Sequence, residues 1–293
     1  MKIGYPCINR SVRCTPNSTF RIANFSEKVI REKIKNNLSC LEKIISYNKE
    51  KELLFFRISS DIIPFAGHKD ISFPWQDEFR EDLKIIGRKI KDSDMRISMH
   101  PDQFVLINSP KEDVLEKSIL ELEWQCQFLD LMDLDDSAKV QIHVGGVYKE
   151  KDASIKRFIF NYLKLSSDIK KRLVIENDDR SYSLKDCLKI SKKIGVPVLL
   201  DIFHHRCLNN KETALEAVTM AEKTWKGRMM IDYSSQNISG RVGKHAESID
   251  IEDFQSFILE TGRIDYDIML EIKDKEKSAL KALKVIKKYE KNI

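Results

Sequence analysis

The chain has 293 residues, 42% hydrophobic and 33% charged, with 51 basic against 46 acidic side chains and a net charge of +5. This suits a globular protein with one large core and excludes a disordered or strongly polyanionic chain; the mild positive charge permits a nucleic-acid partner without demanding one. No apolar run is long enough to cross a membrane, and residues 1–6 enter strand-like sequence without a signal peptide's apolar stretch. The six cysteines (Cys7, Cys14, Cys40, Cys126, Cys187, Cys207) show no CxxC spacing. They are expected to be reduced thiols of a cytoplasmic protein rather than a disulfide frame. Runs rich in Ile, Val, Leu and Phe then alternate with amphipathic stretches along the chain. The pattern predicts strand 2–5 and helix 27–48, strand 53–58 and helix 76–91, strand 96–100 and helix 111–132, strand 140–144 and helix 152–168. It continues with strand 172–177 and helix 184–194, strand 198–202 and helix 211–223, strand 228–233 and helix 251–259, and strand 267–272 closed by a Lys-rich helix 275–288. Evenly spaced strand–helix units that fill the length favour a closed (β/α)8 TIM barrel, one domain over 1–293, above a doubly wound open sheet.

Several of these apolar runs end in, or close to, a residue that can bind a metal: His100, His143, Glu176, Asp201, Asp232 and Glu271. Buried charge at strand after strand is costly unless the groups pair or hold an ion, and barrel enzymes build their sites at the C-terminal strand ends. Asp201-Ile202-Phe203-His204-His205 is the densest cluster, with Asp201 and His204 spaced to reach one ion. Asp, Glu and His donors without Cys suit Zn²⁺ or Mn²⁺, and a carboxylate-rich set leans toward Mn²⁺. Glu176 and Glu271 are candidates to bridge two ions that clamp a phosphodiester during in-line displacement. The plainer reading of Glu176 is an ion pair with Arg172 or Arg180, and that of Asp201 is a helix cap. His68 and His245 fall in loops after the second and seventh strands. All six histidines are thus expected on one side of the barrel, none in a helix.

Gly4-Tyr5-Pro6-Cys7-Ile8-Asn9, His100-Pro101-Asp102-Gln103-Phe104, Gln141-Ile142-His143-Val144-Gly145-Gly146, Glu176-Asn177-Asp178-Asp179, Asp201-Ile202-Phe203-His204-His205, Asp232-Tyr233-Ser234-Ser235-Gln236 and Glu271-Ile272-Lys273 together resemble the UV damage endonucleases. The resemblance runs in order from Met1 to about Lys273, and the family's relatives are endonuclease IV and the xylose-isomerase-like barrels. It implies a metal-dependent hydrolase of DNA repair that nicks damaged double-stranded DNA immediately 5′ to cyclobutane pyrimidine dimers, 6-4 photoproducts and abasic sites. The nick would leave a 3′-hydroxyl and a 5′-phosphate. It implies two or three divalent ions, most often Mn²⁺ with Zn²⁺ as an alternative, on His68, His100, His143, Glu176, Asp201, His204, Asp232, His245 and Glu271. Catalysis would fall to Glu176, Glu271, His143 and Asp201. Gln103 and Phe104 would enter the base stack, where the family carries Gln-Tyr, and Tyr5 and Asn9 would contact the flipped lesion. A monomer acting at the nucleoid is implied. The alternatives are an endonuclease IV-like abasic-site enzyme, a metal-dependent sugar isomerase or epimerase, and a lesion binder without catalysis. One departure stands out: family members can carry a Lys, sometimes carboxylated, two residues before a His at the end of strand seven. Met230 and Asp232 occupy those positions here, so a two-ion core with a weaker third site is expected.

Overall fold

The computed structural model describes residues 1–291. Eight parallel strands close into a barrel in sequence order, β1 Ile3–Pro6, β2 Phe55–Ser59, β3 Arg96–His100, β4 Lys139–His143, β5 Leu173–Glu176, β6 Val198–Asp201, β7 Met229–Tyr233 and β8 Tyr266–Leu270. Parallel neighbours need crossover connections. These are α1 Glu27–Glu50, α2 Trp75–Glu78, α3 Arg80–Asp92, α4 Glu112–Leu131, α5 Lys151–Lys164, α6 Ser167–Arg172, α7 Leu184–Ile194, α8 Ile202–Cys207, α9 Ala214–Glu222, α10 Ile251–Thr261 and α11 Glu276–Glu290. This is the expected (β/α)8 barrel. The longer helices turn an apolar stripe to the strands, as Ile30, Ile34, Leu38, Leu41 and Ile45 do on α1. None is long and apolar enough to cross a membrane.

Three expectations need correction. The long helix expected over 152–168 divides into α5 and α6, because Leu165 leaves helical geometry and Ser166 starts a new helix by accepting from the Ile169 amide. His204 and His205 lie in a helix after all: α8 begins directly after β6 and is capped by Asp201. Cys14 and Cys40 form a disulfide (Cα–Cα 5.7 Å) that ties the β1–α1 loop to α1. Their 26-residue separation carries no spacing signal, so only the fold brings the two sulfurs together.

Register does the functional placement. His143 on β4 lies opposite Glu176 on β5, and Asp201 on β6 lies opposite Asp232 on β7. Because strand side chains alternate, these residues project at one level at the C-terminal mouth. One layer below, Phe55, Val174, Leu199, Met230 and Met269 fill the barrel as a separate apolar cluster. Met230 therefore belongs to the packed floor beneath the polar layer. Gly4 lets β1 close against β2, since a Cβ there would sit 1.5 Å from the Phe55 carbonyl oxygen.

Candidate metal centre

The mouth carries three groups of side chains whose donor atoms lie within 4.8 Å of one another: His100–His143–Glu176, Glu176–Asp201–His204 and Asp201–Asp232–Glu271. Glu176 is common to the first two and Asp201 to the last two, so the groups form one chain of donors across the barrel. Glu176 Oε2 lies 3.4 Å from His100 Nε2 and 3.9 Å from His143 Nε2, and its Oε1 lies 3.2 Å from His204 Nδ1. The alternative ion pairs are ruled out: Arg172 serves Asp130 and Arg180 serves Asp179.

Outer contacts fix several donors. His100 Nδ1 donates to the Pro101 carbonyl at 2.8 Å, which leaves Nε2 as the ring's free lone pair. His245 Nδ1 donates to the Glu271 carbonyl at 2.6 Å, and its ring lies 6.2 Å from that of His204. Asn177 clamps β5 to β6 by accepting from the Asp201 amide and donating to the Asp201 carbonyl. Asp201 Oδ1 accepts from the His204 amide, so the cap and the donor are one residue.

The electrostatics show a surplus of negative charge. Burial pushes Asp201 up to about 7, with His204 offsetting only part of the cost and Glu176 and Glu271 adding to it. Burial likewise pushes Asp232 up to about 7 against the opposing pull of Arg57. On His204, burial is outweighed by Asp201 and Glu176, which raise it to about 11. On Glu176, burial is outweighed by His143, His100 and His204, which hold it well below the usual carboxylate range. Burial lowers His143, keeping its imidazole neutral, the form that binds metals. Asp201 Oδ2 and His143 Nδ1 are buried without a hydrogen-bond partner. Asp201 Oδ2 is an orphaned acceptor in an acid-rich pocket, which a divalent cation would satisfy, so these residues fit a metal.

The other expected residues are placed less uniformly. His68 stands outside the three groups; its Nδ1 accepts from the Asp70 amide at 3.2 Å, and it lines a cavity of about 370 Å³ with Asp102, Phe104, Glu121 and Trp124. Gln103 and Phe104 project from the loop after β3, with Phe104 72% exposed, which excludes core packing for that ring. Tyr5 and Asn9 are not on the open face. Tyr5 is fully buried against Phe56, and its hydroxyl donates to Asn48 while accepting from Asn9. A strand residue one step out of phase with the barrel interior faces the helices, and Tyr5 faces α1.

Two polar residues of the mouth escaped the sequence reading. Arg57 sits mid-strand on β2, 2% exposed, and Gln141 on β4 is fully buried. Arg57 Nη2 donates to both Asp232 oxygens and to Gln141 Oε1, each at 2.7 Å, and Nη1 pairs with Glu271. Gln141 Nε2 donates to Glu176 Oε2 and Asp232 Oδ2. Arg57 outweighs burial on Glu271 and lowers it to about 2. The available signal was a lone Arg within Phe55-Phe56-Arg57-Ile58. A larger cavity, about 1010 Å³, opens at the opposite end of the barrel beside Lys2, Arg96, Lys139 and Arg228, away from every donor group. The donor chemistry, not cavity size, marks the mouth as the candidate site.

The sequence profile of the family described as UV-endonuclease UvdE matches residues 1–292. A UV DNA damage endonuclease of Clostridium perfringens (strain 13 / Type A) is 40% identical over all of this chain and 72% of its own length. The crystal structure of SacUVDE superposes with a TM-score of 0.96 at 45% identity, covering 99% of each chain. A D-psicose 3-epimerase from Clostridium cellulolyticum H10 superposes with a TM-score of 0.54 at 12% identity over 79% of each chain, a likeness of fold alone.

Proposed function

This chain belongs to the UV-endonuclease UvdE family, and from that premise we propose that it hydrolyses the DNA backbone immediately 5′ to ultraviolet lesions and abasic sites, leaving a 3′-hydroxyl and a 5′-phosphate. The observation that carries the reading is Glu176, shared between two donor groups at the barrel mouth. A bridging carboxylate suits two ions a few ångströms apart, the arrangement used for in-line displacement at phosphorus.

His100, His143 and Glu176 would hold one ion; Glu176, Asp201 and His204 would hold the other, with His245 alongside and Glu271 at the edge. When bound, the ions supply charge neutralisation at the scissile phosphate and activation of water. Mn²⁺ suits this carboxylate–imidazole set, and Zn²⁺ is the competitor. The protein's own part is orientation: Pro101 and Asn177 aim His100 and hold Asp201, and Gln141 fixes one oxygen of Glu176. Phe104 and Gln103 enter the base stack beside the lesion, where damage has lowered the cost of extrusion. Phe104 supplies the flat apolar surface without a hydroxyl. Tyr5 and Asn9 act at one remove by bracing the loop after β1, because their polar atoms are already satisfied inside the protein. Basic surface side chains hold the phosphates and release them as salt rises.

The deciding experiment is incision of an oligonucleotide duplex with one cyclobutane pyrimidine dimer, with Mn²⁺ and with chelator. A nick at the dimer's 5′ side that chelator abolishes is expected. Cleavage of abasic duplex alone would replace this reading with an endonuclease IV-like one, and no cleavage of either would remove it.

A further inference from the structure

The third donor group differs from the other two. Asp201 Oδ2, in the second group, is buried and has no hydrogen-bond partner. Asp232, in the third, is engaged through both oxygens: Oδ1 accepts from Arg57, and Oδ2 accepts from Arg57 and from Gln141. Glu271, the other end of that group, is already paired with the same guanidinium. Arg57 is 3% exposed along its side chain and Asp232 is fully buried, so neither can turn to water. A guanidinium does not lose its proton in a protein and presents its donors in a rigid fork. An ion entering between Asp201, Asp232 and Glu271 would compete with the Arg57 fork for the same oxygens and would lie against a fixed positive charge.

We propose that Arg57 stands in the place of an ion at the Asp201–Asp232–Glu271 corner, so that this chain binds two divalent cations and not three. The inference rests on the metal-centre reading of the mouth, but not on DNA cleavage. Arg57 is a positioning residue: it holds Glu271 in place through Nη1 and assigns Asp232 to itself. Below it, Met230 belongs to the apolar floor and offers no hard donor that could draw an ion back to this corner.

The test is a cation count on metal-free protein saturated with Mn²⁺ and desalted, read by elemental analysis, without DNA. The wild-type chain should retain two Mn²⁺. Asp232→Asn should also retain two, since an asparagine oxygen still accepts from Arg57. Arg57→Gln should gain a third, because it frees Asp232 and Glu271 beside Asp201. Three ions on the wild type, an ion lost in Asp232→Asn, or two ions on Arg57→Gln would each overturn the proposal. If Arg57→Gln does not fold, the wild-type count and Asp232→Asn decide alone. A two-ion protein that fails to nick damaged DNA would leave this inference standing and remove only the functional reading.

Discussion

The barrel is crossed by a buried arginine–aspartate bridge at each end, and the two do different work. At the N-terminal end Arg96 meets Asp267 at 3.0 Å, donates to the Met229 and Arg228 carbonyls, and lies over the rings of Phe55 and Trp225. Asp267 also pairs with Arg228, whose second partner is Asp265, so acids and bases there balance. At the C-terminal mouth Arg57 meets Asp232 and Glu271, but Glu176 and Asp201 stand beside them with His204 as their shared counter-charge, one cation for two carboxylates. The same ion pair is a closed plug at one end and one part of an unbalanced acid cluster at the other. Local surplus of charge, rather than buried charge as such, separates a site from a structural device.

The comparison can be broken most sharply at Glu176. Glu176→Ala is expected to lower incision of dimer-containing DNA by at least about 1,000-fold, roughly 4 kcal/mol in barrier. Binding of the same duplex in a gel-shift titration should change little, because phosphate contacts come from the basic surface. Retained nicking would take Glu176 out of the centre. At the opposite end, Arg96→Ala leaves Asp267 buried beside a cavity and should cost about 3–5 kcal/mol in urea unfolding. Its Mn²⁺ affinity should match the wild type; a loss of ions would mean that the two ends are coupled.

The disulfide sets a third contrast, since it clips the β1–α1 loop on the mouth side of the barrel without contributing to the donor groups. Cys14→Ser with Cys40→Ser should lower stability by about 3 kcal/mol, with reductant giving the same shift in the wild type. Incision at 25 °C should persist; its loss would place the β1–α1 loop in the active conformation. The smallest effect belongs to the rim. Gln103→Ala with Phe104→Ala should reduce the preference for damaged over intact duplex by about 1–3 kcal/mol, the scale of one base–aromatic stack. Thermal stability should not move, because Phe104 is exposed. Unchanged discrimination would deny the loop its wedge role.

Those residues also show what was legible beforehand. His100, His143, Glu176 and Asp201 announced themselves because each stands where a buried strand would otherwise carry Val, Ile or Leu. Arg57 and Gln141 obey the same rule but sit before the strand ends, where a single polar residue looks like solvent-facing alternation. Tyr5 stands on the face of β1 that meets α1, with Asn9 in the following loop bonded to its hydroxyl, a placement set by barrel closure and not by the local sequence. His205 turned inward to the Glu212 carbonyl, which a short loop reading did not foresee.

Sequence alone determined the number of strand–helix units, their order and the kinds of donor at the strand ends, because periodicity and the cost of burying charge are local properties of the chain. Tertiary structure decided which donors share an atom's reach, which carboxylate is already taken by Arg57, and which two cysteines meet. Those are distances between segments far apart in sequence, set only when the barrel closes with a definite register.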